Sequence, residues 1–308
     1  MSGCQTYIQP SEDKYAFAIG GFYLKLSTAY KKSIGTKEAG RVTMLIVTIL
    51  FCAALLACFC YYQNNALQVS RIRLTSAKIK DEVSIVHLSD LHGKSFGRSN
   101  ELLIRMVADL DPNFIVYTGD LISSRRDMDK SVQTLNRLAN EAPVYYIPGN
   151  HEYRFVLRDV LYEKLGQAGI KLLRNQTESI CINETSLTIL GLDYQALEPL
   201  DKEKLLGDLA KADSYNIVLD HFPENFPDLA ADGIDLVLAG HAHGGQFILP
   251  LIGGVFAPGQ GFDPRYYSGR YSLESSDMIV SRGLGNSAFP LRLFNRPEIV
   301  FISLVPET

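Results

Sequence analysis

Five of the six histidines in this 308-residue chain lie in short segments that combine imidazole with carboxylate or amide. The segments read Asp90-Leu91-His92, Gly119-Asp120, Gly149-Asn150-His151-Glu152, Asp220-His221-Phe222-Pro223 and Gly240-His241-Ala242-His243. From them Asp90, His92, Asp120, Asn150, His221, His241 and His243 offer two carboxylates, one amide and four imidazoles, with no thiolate. That donor set suits borderline divalent cations such as Mn, Fe, Zn or Co. Two such cations held about 3.5–4 Å apart repel, so an anion must bridge them, and Asp120 is the natural bridge. Two carboxylates set against two dications leave a net positive site, which ionises a bridging water and attracts an anionic phosphate. Single fragments carry little weight, since Asp-x-His and Gly-Asp recur by chance. Gly149-Asn150-His151 is stronger, because Gly and Asn permit the tight turn that directs His151 into a cleft. His87 lies inside an apolar run and reads as a packed core residue outside the site.

The elements that must position these residues follow from the apolar pattern. Strands are expected at 83–89, 114–118, 144–147, 187–190, 216–219, 236–239, 278–281 and 299–304, where short apolar runs occur. Between the early ones lie helix-period segments, such as Leu102, Leu103, Met106, Val107 and Leu110, stopped by Pro112. Strands alternating with helices indicate an α/β layered domain. Asp90, Asp120 and Asn150 are thirty residues apart, the length of a strand-helix-strand unit. Each is therefore expected just past the C-terminal end of a successive strand, where the loops of an open α/β sheet converge on ligands. His221 and His241 also follow strands directly.

Ahead of this domain, residues 42–62 form a run of 21 without charge, VTMLIVTILFCAALLACFCYY. At about 1.5 Å per residue it spans roughly 30 Å, the thickness of a bilayer's hydrocarbon core, and is read as a retained transmembrane helix. Residues 1–41 are expected as an N-terminal tail, 63–80 as a polar linker and 81–308 as the catalytic domain. Lys31, Lys32, Lys37 and Arg41 precede the run, against Arg71 and Arg73 just after it. This bias favours a single-pass protein whose C-terminal domain is extracytoplasmic. A net charge of −4 gives no footprint for nucleic acid, and none is expected as a partner. The five cysteines have neither a disulfide-framework nor a zinc-thiolate spacing.

These motifs resemble the calcineurin-like metallophosphoesterase superfamily over residues 83–308. The resemblance implies that Asp90, His92 and His243 bind one metal and Asn150, His221 and His241 the other, with Asp120 between them. It places His151 off the metals, facing substrate, to stabilise the transition state and help protonate the leaving oxygen. Gly240-His-Ala-His-Gly-Gly-Gln246, with the C-terminal segments 281–285 and 290–298, is similar to the membrane-associated YkuE/YaeI-like branch. That branch implies a four-layer sandwich of two mixed sheets flanked by helices. Some of its relatives act on the pyrophosphate of UDP-diacylglucosamine. One departure is Ser123, where many superfamily members carry a second Asp after the bridging one. Asp220, beside His221, is either an acceptor behind the ligands or a solvated loop acid. Arg282, Arg292 and Arg296 either clamp a phosphate or form structural ion pairs. The apolar stretch 247–256 is either a site-mouth loop that meets membrane or acyl chain, or a buried hairpin turning at Gly253-Gly254.

The expected activity is hydrolysis of a phosphate ester or pyrophosphate by a metal-bridging hydroxide, on a lipid-linked or envelope-derived substrate. The enzymatic alternative is a phosphodiesterase or phosphatase of soluble nucleotides. The other is a catalytically silent scaffold, whose mark would be missing ligands, and none of the seven is missing.

Overall fold

The computed structural model describes residues 36–193, 199–210, 213–230, 233–286 and 289–307. Most of the expected tail, including the cationic Lys31 and Lys32, lies outside them. The chain divides into two units, Met1–Phe59 and Cys60–Thr308. In the first, helix α1 (Thr36–Asn65) begins. Its segment Gly40–Asn65 is long and apolar enough to cross a membrane, and its large side chains from Met44 to Leu56 are exposed. No proline or glycine interrupts residues 42–62, so nothing breaks the helical ladder there.

The second unit begins with the last residues of α1 and is a mixed α/β fold with two large mixed sheets. One sheet has the order β1-β16-β2-β3-β4-β5, built from β1 (Gln68–Ser76), β2 (Val83–Leu88), β3 (Phe114–Thr118), β4 (Val144–Ile147), β5 (Lys171–Leu172) and β16 (Glu298–Pro306). The other has the order β14-β15-β9-β8-β7-β6, from β6 (Gln176–Ile182), β7 (Thr185–Gly191), β8 (Tyr215–Leu219), β9 (Leu236–Ala239), β14 (Gly269–Leu273) and β15 (Ser276–Val280). One buried cluster joins the sheets face to face: Val116, Ile302 and Leu304 of the first meet Leu187, Ile217, Leu238 and Ile279 of the second. A second cluster lies between the first sheet and α2 (Glu101–Ala108), α3 (Met128–Ala139) and α5 (Arg158–Gln167), through Leu103, Leu135 and Leu161. A third covers the other face of the second sheet, with Leu209 of α6 (Pro199–Ala210) and Phe226 and Leu229 of α7 (Phe226–Leu229).

The polar stretch 63–80, expected as a linker, is instead partly a strand. β1 pairs in parallel with β16 from Gln68↔Glu298 to Ser76↔Pro306. Its alternation buries Leu74 and exposes Arg71, Arg73 and Thr75, so its composition reads as polar although one face is packed.

Register fixes which end of the unit carries the chemistry. β2, β3 and β4 run parallel, and β16 runs antiparallel to β2 with Val300 opposite His87. The start of β16, and with it the start of β1, therefore lies at the end where β2, β3 and β4 deliver their C-terminal loops. The last residues of α1, which lead into β1, enter the unit at that same end.

Candidate metal centre

The loops after β2, β3, β4, β8 and β9 carry all the expected ligand residues, and the structure brings them together. Asp90, His92 and His243 form one group whose ligand atoms lie within 4.8 Å of one another, and Asp120, His221 and His241 form a second. Asp120 also groups with His92 and His151, so its carboxylate stands between the two. Its Oδ2 lies 3.6 Å from His92 Nε2, 3.4 Å from His221 Nε2 and 4.0 Å from His151 Nε2. Asn150 joins the second group, with Oδ1 3.2 Å from His221 Nε2.

Reaching these positions takes unusual backbone. Asp90, His92, Asp120, His241 and His243 all have φ between 48° and 63°, the left-handed region that Asp, Asn and His tolerate better than bulky residues. Two glycines make room. A Cβ on Gly149 would lie 2.2 Å from Asp120 Oδ1, and one on Gly240 would lie 2.6 Å from Asp90 Oδ2. The glycines of the Gly-Asn-His and Gly-His motifs therefore serve close approach of backbone to the two carboxylates.

Hydrogen bonds behind the ligands set which nitrogen each imidazole presents. His221 Nδ1 lies 2.7 Å from the carbonyl of Thr118, which can only accept, so Nδ1 carries a proton and Nε2 is the nitrogen turned toward the cluster. Nδ1 of His241 faces that Nε2 at 3.2 Å. His92 Nδ1 bonds Ser123 Oγ at 3.0 Å, leaving Nε2 to face His243 Nε2 at 3.2 Å. Nitrogen atoms facing one another at such distances among buried carboxylates are the arrangement a shared cation resolves. Asp90 Oδ1 makes the same point: it is fully buried, without a hydrogen-bond partner among the described residues, and 3.6 Å from His243 Nε2. The residues fit two divalent cations.

Electrostatics within the cluster is polarised. Burial, opposed in part by His221, raises the Asp90 carboxyl to about 6. Burial would raise Asp120 too, but His221, His92 and His151 outweigh it and hold that carboxyl well below its usual range. Burial would lower His221, yet Asp120 and Asp90 lift it to about 10, while burial holds His92 at about 4 and His241 at about 3. His92, His241 and His243, which burial also lowers, are thus neutral and ready to ligate near neutral pH, whereas His221 must give up a proton to do so.

The cleft over this cluster is about 360 Å³ and is lined by Asp120, Asn150, His151, Arg154, Phe222, Glu224, His241, His243, Pro258 and Gly259. His151 is half-buried at its wall, its backbone N–H donating to Asp120 Oδ1 at 2.9 Å. The exposed Arg154 follows one turn later on the short helix α4 (Asn150–Arg154).

The arginines read as either phosphate clamps or structural ion pairs do not line this cleft. Arg282 pairs with Glu298 at 2.8 Å and donates to Ser70 Oγ, tying β15's end to β16 and β1. It belongs to the structural alternative. Arg292 is buried behind the ligands, bonded to Gly285 O and Asn286 Oδ1, with Nη2 3.4 Å from His243 Nδ1. Arg296 donates to the carbonyls of Ala66 and Leu67. Asp220 is buried and accepts from Phe222 N–H and from Asn225 Nδ2, holding the turn after β8, while Thr118 is the acceptor at His221 Nδ1.

Sequence reasoning left out Glu152. Its fully buried carboxylate accepts the backbone N–H groups of Asp120 at 2.9 Å, Leu121 at 2.9 Å, Ile122 at 3.3 Å and Gly149 at 2.8 Å. It pins the bridging-Asp loop to the Gly-Asn-His loop. The signal was a Glu three residues after a helix-starting Gly, the reciprocal half of a capping box.

A two-sheet α/β domain with a buried Asp/Asn/His cluster of this kind, open to a cleft, defines a metal-dependent hydrolase of phosphoric esters. The chain belongs to the calcineurin-like phosphoesterase family, a dinuclear divalent-metal family, whose profile matches residues 83–245. Among its relatives, the uncharacterised metallophosphoesterase YkoQ of Bacillus subtilis is 27% identical over 82% of this chain and 98% of its own length. The uncharacterised metallophosphoesterase YkuE of the same organism is 29% identical over 79% of this chain and 87% of its own. Phosphodiesterase YaeI of Escherichia coli is 30% identical over 76% of this chain and 87% of its own.

Proposed function

We propose that this chain is a membrane-anchored bimetal phosphoesterase that cleaves a phosphate ester or pyrophosphate on a lipid-linked or envelope-derived substrate. The observation carrying the chemistry is the pair of donor groups linked by Asp120, which belongs to one and lies 3.6 Å from His92 of the other, with Asp90 Oδ1 lacking a hydrogen-bond partner among the described residues. Asp90, His92 and His243 would hold one cation, and Asn150, His221 and His241 the other, with Asp120 between. When bound, the two cations supply Lewis acidity and a water ionised at neutral pH.

The remaining work falls to side chains of the cleft. His151, half-buried and off both donor groups in this reading, delivers a proton to the leaving oxygen and stabilises charge on the phosphoryl group. Arg154, one turn away on the cleft wall, replaces Arg282 and Arg292 as the phosphate-binding arginine, because it is exposed and lines the cleft while their guanidinium groups are committed to Glu298 and to Gly285 and Asn286. Glu152 and Thr118 hold the ligands in register. The three buried clusters support reading the fold as four layers, helix, sheet, sheet, helix.

The anchored reading rests on the apolar segment of α1, with the domain extracytoplasmic as the Lys/Arg bias suggests. UDP-diacylglucosamine typifies the substrate class, a phosphorylated headgroup on an acylated body. The test is elemental analysis of the detergent-solubilised full chain, purified without chelator, with an assay on a chromogenic phosphodiester. About two metals per chain with turnover supports the reading. A folded chain without metal overturns it.

A further inference from the structure

We infer that the end of the catalytic unit around the cleft is a bilayer-docking face, built from the hairpin at 248–254, the turn flanking Pro258 and the loop at 289–294. This rests on the anchored reading above. The observation is a concentration of exposed apolar side chains that serve no core. Strands β10 (Ile248–Leu249) and β11 (Gly253–Gly254) form a hairpin with Pro250-Leu251-Ile252 at its tip, so Gly253-Gly254 lie in a strand and the tip is not buried. Leu251 is fully exposed and Ile252 is 68% exposed. Leu251 also has φ 69°, and exposed Phe294 has φ 52°. Bulky apolar residues in left-handed backbone and in water are costly twice over, and among the described residues no core cluster takes in the hairpin tip.

The patch is continuous. Phe247 contacts Phe289 with ring centroids 5.7 Å apart, and Ile248 N–H donates to Leu293 O, so the hairpin and the 289–294 loop are one surface. Phe256 of β12 (Phe256–Ala257) meets Phe262 of β13 (Gly261–Phe262) edge to face at 5.3 Å, and Pro258 and Gly259 between them line the cleft. No charged residue occurs from 247 to 256, and the only one from 289 to 294 is the buried Arg292.

What covers this face is argued from where α1 enters the unit. Its last residues are tied to the same loop: Asn64 Oδ1 accepts from Arg292 N–H at 3.0 Å and from Asn286 Nδ2 at 3.3 Å. Arg296 bonds the carbonyls of Ala66 and Leu67 and lies 4.8 Å over the Tyr62 ring. The loop that carries Phe289 and Phe294 is therefore the one fastened to the segment that leaves for the membrane. Leu251, Ile252, Phe262, Phe289 and Phe294 meet acyl chains at the interface, and the cleft opens beside the lipid headgroups.

The chain contains no tryptophan, so a single introduced one is a clean depth probe. Full-length Ile252→Trp, Phe294→Trp, Leu50→Trp and Glu184→Trp would be reconstituted in phosphatidylcholine vesicles carrying acyl-brominated lipid. Glu184 is exposed in the turn before β7, at the opposite end of its sheet from the site. Docking predicts at least twofold quenching at 252 and 294 by shallow bromines, at 50 by deep ones, and none at 184. Quenching at 50 without quenching at 252 and 294 overturns the docking face and leaves the anchor standing. Shielding of 252 from aqueous acrylamide without lipid quenching means a protein covers it, which also overturns docking. Absence of quenching at 50 removes the anchored reading and the docking face with it.

Discussion

At the scale of single residues, the division of labour between Asp120 and His151 can be separated by experiment. Asp120 touches both donor groups, whereas His151 reaches it only from the cleft wall, 4.0 Å from Oδ2. His151→Ala is expected to keep about two metals per chain while the rate falls by roughly 100- to 10,000-fold, the usual contribution of a positioned proton donor. Asp120→Ala should lose both metal and rate. Equal metal loss in the two variants would make His151 a ligand instead. His87 gives a second prediction, on stability. It is fully buried, its Nε2 bonds Thr118 Oγ1 at 2.8 Å, and burial lowers it from 6.5 to about 3. Unfolding raises its proton affinity, so its contribution is complete above pH 6.5 and is lost as pH falls from 6.5 toward 3, by up to about 1.4 kcal/mol per pH unit. His87→Leu removes that dependence, so with both proteins metal-stripped the variant should gain on the parent steadily below pH 6.5 in denaturant melts. Parallel curves would refute it. The ligand residues were legible because each motif puts its donors directly after an apolar run. Glu152, Thr118 and Ser123 were not, because their roles are made by chain segments that meet only in the fold.

At the scale of elements, the strands of the two large sheets that the sequence concealed share one property: β1, β5, β6 and β14 are the edges. A central strand is buried on both faces and reads as a continuous apolar run, as β3 and β9 do. An edge strand is half-exposed and polar enough to resist pairing, so it looks like loop. β6, with Gln176, Thr177, Glu178 and Ser179 in its first four positions, shows the effect most plainly. β1 shows its consequence. A chain started at residue 81 would strip Leu74 and Ile79 from the core between the sheets and uncover β16 along nine residue pairs. Losing two buried aliphatic side chains costs about 3–6 kcal/mol before any hydrogen bond is counted. Such a chain should aggregate or melt well below one beginning at residue 60, as circular dichroism would register. Similar melting would mean β1 is dispensable. Glu152 acts on elements too, since one carboxylate holds the β3 loop to the start of α4. Glu152→Gln keeps the size but turns an N–H donor toward backbone donors, so metal affinity should drop about 10- to 100-fold, as for other groups behind metal ligands. Unchanged affinity by competition with a chelating dye would relieve Glu152 of that role.

Across the whole molecule, folding and metal binding are coupled through the geometry of one end. Five ligand residues sit in left-handed backbone, each at a cost on the order of 1 kcal/mol, and Asp90 and Asp120 are buried together. These costs are incurred whenever the unit folds, and the surrounding strands are what hold the loops to them. A cation that binds the folded arrangement and not the unfolded chain adds RT ln(1 + [M]/Kd), about 4 kcal/mol for each site at a free concentration a thousand times Kd. For a unit of this size each kcal/mol moves Tm by about 2–4 °C, so one site alone is worth roughly 8 °C or more. Chelation of the full chain in detergent should therefore lower Tm by at least that much, and restoring manganese or zinc should recover it. The same titration on Asp90→Asn distinguishes a coupled site from a loose one. An amide cannot replace the carboxylate whose Oδ1 lacks a partner, so the variant should melt near the chelated parent and gain little from added metal. If the parent's Tm ignores chelation although elemental analysis shows the metal gone, the ligand loops are held by the sheets alone, and the cations serve chemistry without serving the fold.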